Sequence, residues 1–120
     1  EEKKSVEREE ERRTVEREAE ALVSSFQVAR RLIKDASVVV GMHPDQASEA
    51  IVQYAIANGK PLALVPCCVY SNEPQFRIRQ ATDGSRVRTY DQFVTYLKRK
   101  YGLSVATLPF EGKNKVLFKL

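Results

Sequence analysis

Apolar residues recur at Val15, Ala19, Leu22, Val23, Phe26, Ala29 and Ile33. That spacing follows the period of about 3.6 residues and predicts an amphipathic helix over residues 15–35, its apolar face docking on a sheet. Residues 1–14 (EEKKSVEREEERRT) carry no such stripe; they are good helix formers with Glu and Arg interleaved, and predict a charged helical arm or linker. Ser37–Gly41 (SVVVG) is a β-branched run suited to a strand covered on both faces. Pro44 cannot continue a strand ladder and Asp45 is a plausible cap, so a second helix should open there. Ala47, Ala50, Ile51, Tyr54 and Ala55 form its apolar side, and Asn58-Gly59 its stop.

Leu62–Val65 and Cys67–Val69 read as one buried strand. Residues 71–89 (SNEPQFRIRQATDGSRVRT) are a long connection, and such loops are usually functional or disordered. A third helix is expected over Asp91–Lys100, burying Phe93, Val94 and Leu97, with Gly102 ending it. Ser104–Leu108 and Lys115–Leu120 should be a final antiparallel pair, joined by a short link rich in turn residues. Strand–helix–strand units with buried β-branched strands imply parallel pairing and right-handed crossovers. The expected fold is a small three-layer α/β sandwich, with residues 15–120 as its body.

Composition narrows the class. A chain of 120 residues, 42% hydrophobic and 30% charged, suits one small globular domain and excludes collagen-like, disulfide-framework and disordered classes. No apolar run approaches the roughly 18 residues of a membrane span. Cys67 and Cys68 are too few and too close for a disulfide scaffold, and point to a reducing, intracellular compartment, either cytoplasm or organelle matrix. A start at Glu1, with no initiator Met and no apolar signal segment, suggests an excised or processed piece. Residues 1–20 hold nine Glu against six Lys or Arg, a balance of −3; the other fourteen basic and seven acidic residues give the rest +7. A basic body suits an anionic partner such as RNA, or plain solubility.

Two motifs sharpen the reading. Val38-Val39-Val40-Gly41-Met42-His43-Pro44-Asp45-Gln46 resembles the fourth-strand segment of a class I S-adenosylmethionine-dependent methyltransferase branch with Gly-Leu-His at that strand's end. Pro66-Cys67-Cys68 resembles the Pro-Cys-Cys or Gly-Cys-Cys after strand five of the same branch. The likeness covers about residues 30–120 and includes the terminal antiparallel hairpin. It implies half of a Rossmann-like sheet. The family holds its cofactor with a Gly-rich turn after the first strand and an acidic residue ending the second. This chain has no G-x-G, and its five glycines stand alone. S-adenosylmethionine is thus implied for the family and not expected on this chain by itself. The Val38–Val40 strand would then present an open edge, which calls for a partner chain, missing residues or the leader helix to cover it.

His43, Asp45 and Gln46 lie just past the end of a strand, where open α/β sheets place ligands. The resemblance implies catalytic roles for His43 and Asp45 and substrate contact for Gln46. The plainer alternative has His43 bonded to a loop and Asp45 capping the helix. Cys67 and Cys68 should line the same crevice or simply pack. Neighbouring side chains on a strand point to opposite faces, so the two are not expected to share a metal, and no metal site is expected. Arg77, Arg79, Arg86 and Arg88 stand at alternating positions in two pairs. If extended, each pair would grip phosphates from one face, with Tyr70, Phe76 and Tyr90 stacking on bases; a solvated lid is the alternative.

Three functions remain open on these residues. The first is the carboxyl-terminal part of a methyltransferase, catalytically incomplete alone. The second is a non-catalytic assembly subunit that keeps the fold. The third is a small basic RNA-binding module.

Overall fold

Glu, Arg, Lys and Ala dominate the first thirty-five residues, and they form a single helix, α1 (Glu2–Asp35). The structure, a computed structural model, describes residues 1–120 and divides into two units, Glu1–Ala36 and Ser37–Leu120. Along α1, Arg12 pairs with both Glu9 and Glu16, and Arg13 with Glu9. Each exposed pair at this spacing is worth only about 0.2–0.5 kcal/mol. The apolar stripe exists as the spacing predicts, and within this single-helix unit it has nothing to pack on: no residue of α1 is buried, and Phe26 stands 67% exposed. Ala36 ends the helix in extended backbone.

Residues 37–120 hold a four-stranded mixed sheet: β1 (Val39–Met42), β2 (Leu62–Val65), β3 (Ser104–Thr107) and β4 (Lys115–Lys119). Between them come α2 (Ser48–Ala57), after one 3₁₀ turn over Asp45–Ala47, and α3 (Tyr90–Tyr101). The spatial order is β1-β2-β4-β3. β1 and β2 are parallel, joined by α2; β4 inserts antiparallel between β2 and β3. The mixed α/β class and the terminal hairpin are therefore as expected. The limits of β1, β3 and β4 differ by a residue or two, while the expected continuation of β2 through Cys67–Val69 is not strand, because Pro66 ends β2 at Val65.

Pleating puts Leu62, Leu64 and Leu117 on one face, where they meet Val52 and Ala55 of α2 and Phe93, Val94 and Leu97 of α3 in one core. Both helices thus share one face. Within this unit that makes two layers, not the expected three. On the opposite face Val40 and Met42 are 67% and 64% exposed. β1 lies at the sheet margin, and its outer edge has no partner strand. The strand expected to be covered on both faces is covered on one.

α3 has the best-defined ends. Thr89 and Gln92 form a reciprocal capping box, and Gly102 closes the helix at φ 64. At the other end of the sheet, Gly41 lets β1 approach α2. A Cβ there would lie 2.8 Å from Leu64 Cδ1 and 3.0 Å from Ile51 Cδ1. Leu64 is fully buried, so a shift of its side chain would press on its core neighbours. Gly41→Ala should therefore cost about 1–3 kcal/mol in urea unfolding of the chain, the usual penalty for overpacking. Unchanged stability would mean that the β1–α2 contact is looser than described.

Candidate functional site at the strand ends

The parallel strands β1 and β2 end side by side, and the chain leaves both through unusual backbone. His43 has φ 48 and Asp45 φ 51 after β1; Tyr70 has φ 53 after β2. Left-handed backbone at a residue other than Gly costs on the order of 1 kcal/mol, least for Asp and Asn, and such strain gathers at functional sites. The exits are tied together by the His43 amide, which donates to the Val65 carbonyl at 2.9 Å.

These turns bring the predicted residues together. The Cys67 thiol donates to Asp45 Oδ1 at 3.2 Å. One carboxylate oxygen of Asp45 and the sulfurs of Cys67 and Cys68 all lie within 4.8 Å of one another. The argument that adjacent cysteines must diverge does not apply, because both follow the end of β2 and stand in loop backbone. Lys113, in the β3–β4 turn, reaches Cys68 Sγ at 3.9 Å. Asp45 does not cap α2, whose first residue, Ser48, instead donates its hydroxyl to the Asp45 carbonyl. Burial first, and then the hydrogen bond to Asp45, push the Cys67 thiol above its usual range. Desolvation, followed by the charges of Asp45 and Cys68, pushes the Tyr70 phenol up as well. His43 is exposed beside this group.

The other predicted residues are elsewhere. Gln46 faces a separate cavity of about 220 Å³ with Glu49, Gln53, Arg79 and Lys100. The four loop arginines do not form two outward-facing pairs. A 3₁₀ turn over Pro74–Phe76 breaks the extended backbone, leaving Arg77 exposed and folding Arg79 inward to 4% exposure. Arg86 bridges to Gln80 and is half-buried, while Arg88 is exposed. Phe76 lies against the Arg79 guanidinium at 4.0 Å. The Tyr90 hydroxyl accepts from the Lys115 amide at 3.1 Å, so two of the three expected stacking aromatics have partners inside the fold.

Arg79 belongs to a cluster that local spacing does not announce. Its Nε donates to Glu49 Oε2 at 2.7 Å, and the Phe93 ring stacks near it at 4.7 Å. Glu49 Oε1 accepts from the Tyr101 hydroxyl at 2.6 Å, the Tyr96 hydroxyl at 2.8 Å and Lys100 Nζ at 3.0 Å. Burial alone would raise the Glu49 pKa, but these donors outweigh it and bring it down to about 2. Lys100 is held above its usual range, first by the Tyr96 hydroxyl and then by Glu49.

Family models, curated proteins and solved structures were all searched for likeness to this chain, and none matches.

The Glu49 carboxyl group is depressed in the folded state, so its contribution is complete above its unfolded value of 4.5 and lost as pH falls through about 2. At roughly 1.4 kcal/mol per pH unit the shift corresponds to about 3–4 kcal/mol, which partial solvent screening reduces to the order of 2–3 kcal/mol. Glu49→Gln should remove it, lowering stability at pH 7 and flattening the pH dependence between about 4.5 and 2. Urea unfolding at several pH values checks both; a variant with the wild-type acid profile would show that Glu49 is not the responsible group.

Proposed function

We propose that this chain is the carboxyl-terminal part of a methyltransferase-like protein, with half of a Rossmann-like sheet, and that it needs a covering chain or further residues to hold a methyl donor. The observation that carries the reading is the sheet margin. β1 and β2 run parallel and deliver Asp45, Cys67 and Cys68 to one place, with His43 two residues before Asp45 on the same exit, while the outer edge of β1 is unpaired. Ligands of open α/β sheets lie outside the carboxyl ends of the strands, which is where this cluster stands. A strand on the free edge of β1 would extend the sheet and place its own carboxyl end beside His43. The terminal hairpin and the two sequence motifs support the same likeness.

In that setting each residue has a defined task. His43, exposed at the end of β1, is placed to take a proton from a substrate nucleophile. Asp45 and Cys67 form a bonded pair that fixes the wall of the crevice. The methyl donor is S-adenosylmethionine, bound mainly by the absent Gly-rich half. Substrate enters over Cys68 and Tyr70.

A second reading, an assembly subunit without catalysis, has its own support in α1. Val15, Leu22 and Phe26 form an exposed stripe on a helix of 34 residues, a surface suited to a partner helix. RNA binding through the four loop arginines has less support, because Arg79 is buried against Glu49.

A photo-crosslinking residue at Val38, combined with calorimetry of S-adenosylmethionine binding, distinguishes the readings. The methyltransferase reading expects a crosslinked partner, no donor binding by the chain alone, and donor binding by the complex. It fails if the complex binds no donor, or if the chain is a stable monomer without a crosslink.

A further inference from the structure

The group at the strand ends has a property that the methyl-transfer reading does not use. Two thiols and a carboxylate converge from two loops, with their donor atoms within 4.8 Å of one another. A tetrahedral zinc ion with Zn–S of about 2.3 Å and Zn–O of about 2.1 Å sets S···S near 3.8 Å and S···O near 3.6 Å. The Cys67–Asp45 separation of 3.2 Å is already at that scale. Small rotations of side chains would close the rest.

We propose that Asp45, Cys67 and Cys68 form a binding site for a thiophilic divalent cation, zinc being the biological example, with its fourth coordination position open. Three protein donors and one open place are the arrangement of zinc sites that act on a ligand, whereas structural sites close all four. Two thiolates and a carboxylate around a divalent ion leave one negative charge. Lys113, at 3.9 Å from Cys68 Sγ, is placed to balance it. The backbone contributes too: the turns at Asp45 and Tyr70 hold the two loops facing each other, and the His43–Val65 hydrogen bond pins them. This site does not depend on methyl transfer, because it needs neither the donor nor a covering chain.

The test uses the whole chain, stripped with a chelator under reducing conditions and titrated with Co²⁺ as the probe. One ion per chain should bind with a thiolate-to-cobalt charge-transfer band and tetrahedral ligand-field bands, raise the thermal midpoint, and be displaced by Zn²⁺. Cys68→Ser and Asp45→Asn should each weaken binding at least about tenfold, given that even outer-shell partners of a metal site commonly matter about 10–100-fold. Asn tolerates the left-handed backbone of position 45, so that variant keeps the turn. Cys67→Ser should remove part of the thiolate band; if the buried position does not tolerate it, the other two variants still decide. Binding without a thiolate band is adventitious coordination by the glutamates of α1 and overturns the proposal. So does binding that Cys68→Ser and Asp45→Asn leave unchanged, and so does an absence of binding.

Discussion

One carboxylate organises residues 37–120. Glu49 sits on the first turn of α2 and receives hydrogen bonds from Arg79 in the long loop and from Tyr96, Lys100 and Tyr101 on α3. Three segments far apart in sequence are thereby joined at a point only 12% exposed. A buried charge is tolerated when its lone pairs are satisfied, and here both oxygens are occupied. Removing Glu49 would strand the buried charge of Arg79, whereas removing Arg79 would leave Glu49 its pair with Lys100. Because α2 begins at Ser48, just after the turn that contains Asp45, the same anchor fixes where the β1 exit loop ends. The strand-end group depends on that placement as much as on β1 itself.

The sheet satisfies its helices on one face and leaves two demands open. Val40 and Met42 face outward, and the outer edge of β1 offers unpaired backbone donors and acceptors. Edge strands in proteins that stay monomeric are usually protected by charge, proline or a bulge. Val38, Val39 and Val40 supply none of these. A β-branched apolar strand left at a margin is a template for pairing with another strand. The open edge and the exposed apolar face belong to the same strand, so one covering element would answer both.

Much of the fold was legible in the sequence. The alternation of β-branched runs with helical spacing located all four strands, and Gly59 and Gly102 marked helix ends where positive φ is required. That Asp45, Cys67 and Cys68 lie on one side was readable too, because parallel strands must end at the same side. Three things were not. The layer count within residues 37–120 was not, because α2 and α3 share one face of the sheet and the period of an apolar stripe says that a face wants cover without saying what covers it. The loop arginines failed because alternation implies one face only in extended backbone, and Pro74 starts a 3₁₀ turn. The Glu49 cluster failed because Glu49 and Lys100 lie 51 residues apart, beyond any periodic signal.

The strained turns connect these observations. His43, Asp45 and Tyr70 each hold left-handed backbone, together on the order of 2–4 kcal/mol of local cost in a domain with only a few kcal/mol to spare. A short loop between a strand and a helix can usually avoid this with Gly or Asn. Here the strain sets Asp45 against Cys67 and turns Tyr70 toward the same group. Hydrogen bonding inside the cluster recovers little, since a single thiol–carboxylate bond is weak. The surrounding sheet and core therefore hold this geometry in place, so that a group binding at the strand ends would find it already formed. A cation among the three donors and a strand along β1 would occupy different space, so neither excludes the other.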